Sequence, residues 1–241
     1  MRRATVRRKA AVAAIAATAA VTALSAMPGI PAAADDAVTA MMRRLLDAPE
    51  ATASVVLERS DPFGGPPERE EGRVWYIPGR GLRYRAEGET KHEMSLDREA
   101  DRVVLYRPSE PHLYEATWAR APRRLRRLVA DPERVLRGAK NAISESREVR
   151  GKRHDGWRLR EEGLGPSGAR TTVWLTRGAS GLPHFVSVAN DVDTLLVEFR
   201  RWSIRPAARP GDLRVDVPRG TPTSPLDPRD LLGGSDAPES D

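Results

Sequence analysis

Apolar and polar positions alternate with period two over most of the chain, which predicts a protein built mainly of β-strands. Strands are expected near 52–59, 69–77, 81–87, 90–96, 101–107 and 112–118. They are expected again near 146–150, 155–161, 170–176, 183–189, 194–204 and 213–217. The early turns are short and carry Pro, Gly, Glu or Asp, so neighbouring strands should pair antiparallel as a meander. Period two fails in two places. Val38, Met41, Met42, Leu45 and Leu46 fall at helical spacing and make one apolar face, with Asp35 and Asp36 placed to cap it and Pro49 to end it. Between Arg120 and Ile143, Leu125, Leu128 and Val129 also sit at helical spacing, as do Val135 and Leu136 after Pro132, which predicts two short helices.

A sheet of a dozen strands must curl or split. The expected fold is mainly β (α+β): a curved antiparallel sheet, or incomplete β-barrel, of about 11–12 strands. An N-terminal helix and a mid-chain helical lid would cover its open side. The large rings lie almost entirely in the strands, and on a curved sheet they fill the concave side or line a cavity there. The expected cavity lining is Trp75, Ile77, Leu82, Tyr84, Met94, Leu96, Tyr106 and Trp118, with Leu125 and Leu128 from the lid. Ordinary core packing competes with ligand contact at each of these positions.

Charge changes the picture only once it is divided. The 241 residues include 40 basic and 34 acidic ones, a formal net charge of +6. Arg2, Arg3, Arg7, Arg8 and Lys9 supply five of those charges ahead of the first acid, so the remainder is nearly balanced and no nucleic-acid partner is expected. That basic start is followed by an Ala-rich stretch from Ala10 to Ala26, then Pro28, Gly29, Pro31 and the run Ala32-Ala33-Ala34. Residues 1–34 thus read as a secretory signal cleaved after Ala34, and the mature protein as periplasmic. Residues 35–223 read as one domain and the Pro/Gly/Asp/Ser-rich residues 224–241 as a flexible tail.

Organised chemistry is not evident. There is no Cys, which excludes disulfides, Cys-ligated metal and thiol catalysis. Gly163-Leu-Gly165-Pro-Ser-Gly168 matches a dinucleotide fingerprint in letters, but a strand pattern follows it and Pro166 lies inside it, so a hairpin loop is expected. His92, His112, His154 and His184 show no metal-ligand spacing. No enzyme activity, metal or cofactor is expected, and an exported hydrolase is the least favoured alternative. The densest charge feature is the run Arg120, Arg123, Arg124 and Arg127 around the lid, which reads as a solvated helix face or as a docking patch for an anionic partner.

Three stretches together resemble one family. Gly72-Arg-Val-Trp75-Tyr-Ile-Pro78, then Leu82-Arg-Tyr84-Arg85, then Val103-Val-Leu-Tyr106-Arg-Pro108 follow a secretory leader and an amphipathic helix. The chain closes on Leu213-Arg-Val-Asp-Val-Pro218-Arg-Gly220. This order, spanning about residues 36–221, resembles LolA, the periplasmic carrier of outer-membrane lipoproteins. The resemblance implies an incomplete barrel with a helical lid and an interior that shields acyl chains of a lipoprotein or lipid. It also implies transfer from an inner-membrane transporter to an outer-membrane acceptor, by a protein working as a monomer. An envelope sensor of the RseB type, binding an acylated ligand on the same scaffold, is the alternative. The family often carries Arg before the proline matched by Pro78, where it latches the lid; here that position is Ile77, and Arg80, Arg83 or Arg85 would have to substitute.

Overall fold

The computed structural model describes residues 32–61, 63–88, 91–121, 126, 129–130, 142–161, 171–189, 194–209 and 211–227. Helix α1 runs over Ala32–Leu46. A first set of strands follows: β1 (Glu50–Arg59), β2 (Glu68–Ile77), β3 (Gly81–Glu87), β4 (Glu93–Asp97), β5 (Arg102–Arg107) and β6 (His112–Ala116). The second set is β7 (Ile143–Val149), β8 (Lys152–Glu161), β9 (Thr171–Arg177), β10 (Pro183–Ala189), β11 (Thr194–Arg205) and β12 (Thr223–Pro225). All twelve lie in one curved, unclosed sheet of order β12-β6-β5-β4-β3-β2-β1-β11-β10-β9-β8-β7.

Two meanders, β1 to β6 and β7 to β11, are therefore joined through the antiparallel pair β1/β11, which runs from Glu50↔Arg205 to Arg59↔Leu195. A register shift between Thr52 and Ser54 interrupts that pair, the kind of irregularity that increases local twist and helps a wide sheet curve. Every other pairing is antiparallel except β12 with β6.

The period-two pattern divides each strand between two faces. Ala51, Ala53, Val55 and Leu57 of β1 join Val38, Met41, Met42 and Leu45 of α1 in one buried cluster. That helix-bearing side is called the inner face below. The outer face carries two smaller clusters: Val104, Tyr106, Leu113 and Val215 near one edge, and Val149, Trp174 and Phe185 toward the other.

The sequence pattern misplaces three segments. Helix α1 begins at Ala32 rather than at Asp35, so Asp35 and Asp36 lie within the helix and not at its cap. Residues 213–217 are not a strand. They cross the outer face as a strap, burying Leu213 and Val215 while Arg214 and Asp216 stay exposed. Their alternation comes from lying on a sheet, not from pairing within it. The presumed tail contributes β12, whose Ser224 stands beside Tyr114 of β6, and Leu226, which is 3% exposed in the inner cluster. The Leu226 amide donates to the Glu115 carbonyl at 2.7 Å. The described structure thus runs on through Asp227. Within the expected lid, Ala121 is a bend and Arg126, Val129 and Ala130 are helical; Leu125 and Leu128 lie outside the described residues, as do residues 163–168.

Candidate functional site

The inner face of the first meander is laid out in rows by strand register. Tyr76, Leu82, Leu96, Val103 and Ala116 form one row across β2 to β6. Val74, Tyr84, Met94, Leu105 and Tyr114 form the next. The second meander continues the surface with Leu159, Val173, Leu175, Val186, Val197 and Phe199. Phe199 stacks on Trp202 at 5.0 Å, and the Trp202 indole N–H donates to the Pro183 carbonyl at 2.7 Å. The result is one continuous apolar surface drawn from both halves of the sheet. Among the described residues it is covered by α1, by the turn at Trp118–Arg120 leading to Ala121, and by Ala142, Leu182 and Leu226.

Polar groups punctuate one end of this surface. Gly72 leaves room for the Tyr84 ring, because a Cβ there would come within 2.6 Å of the Tyr84 hydroxyl and of the Arg85 carbonyl. The Tyr84 hydroxyl donates to Glu70 at 2.6 Å, and His92 lies 3.7 Å from the same carboxylate. Burial, and then the Glu70 charge, push the Tyr84 phenol well above its ordinary value. Two residues beyond Leu105 along β5, on the same face, comes Arg107, opposite His112. Tyr76, in the first row, buries a hydroxyl with no hydrogen-bond partner, and burial alone pushes that phenol up.

The register divides the expected lining. Leu82, Tyr84, Met94 and Leu96 stand together on the inner face, each 1% exposed or less, and Trp118 packs against the same cluster. Trp75, Ile77 and Tyr106 do not join them. Trp75 is opposite Arg83, one step out of phase with Val74 and Tyr76, and Tyr106 lies in the outer cluster beneath Val215. Both faces of these strands are apolar because the strap buries part of the outer one, so alternation alone did not separate the two sets. The candidates for a substitute latch also point elsewhere. Arg83 and Arg85 share the outer face with Trp75 and Arg73, while Arg80 pairs with Asp97 at 3.1 Å and Glu99 at 3.0 Å. Of the expected docking patch, Arg120 is exposed and Arg123, Arg124 and Arg127 lie outside the described residues. The sequence pattern gave His92 no partner and did not single out Glu70 or Arg107. The stripe Val103, Leu105, Arg107 carries the signal for the last, being a period-two apolar run that ends in a cation.

The outer face holds the other polar concentrations. Arg214, Asp216, Val217 and Pro218 border an open cleft of about 350 Å³ beside the strap. Farther round, Glu198 accepts from Arg150 at 2.5 Å and from Arg200 at 2.7 Å. Burial would raise the Glu198 carboxyl, but those two guanidinium groups outweigh it and hold the group low. The His184 ring lies tilted against Phe185, with centroids 4.1 Å apart, and 6.2 Å from His154. Burial first, then the cations of His154, Arg200 and Arg150, pull His184 below the ordinary value of 6.5, against the opposing charge of Glu198. A histidine whose native value is depressed binds its proton more readily when unfolded, so stability is retained above about pH 6.5 and falls as the pH drops below it. His184→Gln should flatten the loss of stability between pH 7 and pH 5 in urea titrations. An unchanged slope would show that other groups set it. No group of three or more metal-ligating side chains occurs among the described residues.

No protein-family model matches the chain, and no curated protein does. Solved structures similar to it in fold include a LolA superfamily protein from Nitrosomonas europaea, 8% identical, covering 77% of this chain and 99% of that one at a TM-score of 0.42. LprF from Mycobacterium bovis is 11% identical, covering 75% of this chain and 100% of its own at 0.44. MucB of Pseudomonas aeruginosa, solved with MucA, is 14% identical, covering 77% of this chain and 62% of its own at 0.43.

Proposed function

We propose that this protein is an exported carrier that shields the acyl chains of a lipoprotein or lipid against its inner face during transfer toward the outer membrane. The observation that carries the proposal is one continuous apolar face, drawn from both meanders, that is met among the described residues by a helix and connecting segments and not by a second sheet. A β-sandwich would meet such a face with a second sheet. Here the described cover is helix α1 and a few connecting residues, and α1 itself takes part in no strand pairing. Acyl chains in water cost about 0.8 kcal/mol per exposed CH₂, so a carrier must hide them, and an adaptable Met- and Leu-rich surface suits chains of varied length. The sequence resemblance to the LolA family supports the same reading. Delivery from an inner-membrane transporter to an outer-membrane acceptor, the periplasmic location and the monomeric state belong to this proposal.

The test is mass spectrometry of organic extracts from the purified mature protein, combined with depletion in the cell. Co-purified acyl lipid or lipoprotein is expected, and depletion should strand lipoproteins at the inner membrane. Unchanged lipoprotein delivery on depletion would sink the carrier role even if lipid is bound.

A further inference from the structure

We infer that Arg107 is the recognition point for the anionic head of the bound amphiphile, a phosphate monoester or diester, at one end of the inner face. Arg107 ends β5 on the same face as Val103 and Leu105, and its side chain is 5% exposed. Its Nε and Nη2 are buried without a hydrogen-bond partner. Its Nη1 reaches only the Glu110 carboxylate, at 3.5 Å, the limit of a hydrogen bond. Glu110 is in turn held by the Tyr114 hydroxyl at 3.0 Å, and the guanidinium carbon lies 5.5 Å from the Tyr114 ring centroid. The neighbouring polar groups are engaged elsewhere: His92 lies against Glu70 and His112 hydrogen-bonds Ser224 at 2.8 Å.

This arrangement contrasts with the other inward or strap-covered arginine of the first meander. Arg83 is as deeply buried, but its charge is met by Glu93 and a backbone carbonyl. An arginine cannot shed its proton, and buried donors left unmet are costly, so a buried guanidinium with two unpartnered donor nitrogens calls for an acceptor. The fork geometry of those donors fits two oxygens of one phosphate. The next positions on the same stripe, Leu105 and Val103, are apolar and fully buried, so a head held at Arg107 would direct its chain along the inner face. The inference rests on the acyl-carrier reading and adds the class of head group.

The experiment uses delipidated mature protein and three probes: dodecyl phosphate, 1-dodecanol and inorganic phosphate, each titrated calorimetrically against the native protein, Arg107→Met and Arg107→Lys. Native protein should bind dodecyl phosphate at least tenfold more tightly than dodecanol. Arg107→Met should bring the two within about twofold of each other while leaving dodecanol binding unchanged, and Arg107→Lys should keep part of the preference. The melting temperature of Arg107→Met should equal or exceed that of the native protein, because an apolar chain replaces a buried cation with unmet donors. Equal binding of both amphiphiles by native protein, or a preference that survives in Arg107→Met, overturns the head-group assignment and leaves the acyl reading standing. Inorganic phosphate binding as tightly as dodecyl phosphate overturns it too, in favour of a free-anion site. Failure of both amphiphiles to bind overturns the acyl reading itself.

Discussion

Replacing Glu93 by Ala should cost about 3–5 kcal/mol and lower the melting temperature by roughly 6–20 °C. Glu93 and Arg83 form an ion pair under the strap, with side chains only 7% and 9% exposed. Arg83 is further fixed by donating to the Asp212 carbonyl at 3.2 Å and by lying over the Trp75 ring at 4.7 Å. Burial raises the Glu93 carboxyl, and Arg83 opposes that rise by stabilising the charged form. Loss of Glu93 leaves a permanently charged group with one remaining acidic neighbour, Asp216 at 3.5 Å, which is 79% exposed and too well solvated to compensate. Arg83→Met with Glu93→Leu should recover most of the loss, since removing both charges also removes their desolvation cost. Urea denaturation measures both. A single-variant loss below about 1 kcal/mol would show that the strap lifts easily and that water already reaches the pair.

The same pair shows how far the sequence was legible. Strand positions were readable because nearly every strand buries at least one face, and alternation survives even where the other face is partly covered. The bounds at 81–87 and 183–189 coincide with β3 and β10. Which face was which was not readable in β2, β4 and β5. Trp75, Tyr106 and Glu93 belong to an outer surface buried by a strap that arrives more than a hundred residues later, through contacts such as Ser95 to the Leu213 carbonyl. An alternating segment laid across a sheet and one paired within it bury every second residue alike, which is why 213–217 read as a strand. Residues 223–226 lacked any pattern, because three residues paired parallel to β6 and one buried leucine are too short to show a period. On the inner face, Leu82, Tyr84, Met94 and Leu96 were legible as a set because they follow one another across two paired strands. Arg107 was not, because a cation at a strand end ordinarily reads as a solvated terminus.

Met42→Ala should lower stability by about 2–5 kcal/mol and at the same time increase uptake of an apolar dye such as Nile red. Met42 is fully buried on the sheet-facing side of α1, within the inner cluster. Truncating it removes contacts between the cover and the sheet and leaves space lined by apolar groups, which stays dry and accepts an apolar guest. Lost stability alone would not mark the inner face as a binding surface, since any core truncation produces it. Phe185→Ala is the comparison. Phe185 is 5% exposed and packs with Val149 and Trp174 on the outer face, so its truncation should cost a similar about 3–5 kcal/mol without added dye uptake. Saturation of Met42→Ala with a bound acyl chain should then restore stability, by about 2.7 kcal/mol at a ligand concentration one hundred times its dissociation constant. Equal dye uptake by the two variants would mean that both merely loosen the protein, and helix α1 would be a fixed part of the core. Uptake confined to Met42→Ala would make it a cover that yields to a guest, because on that face the loss of packing opens room between the sheet and a helix that no strand pairing holds in place.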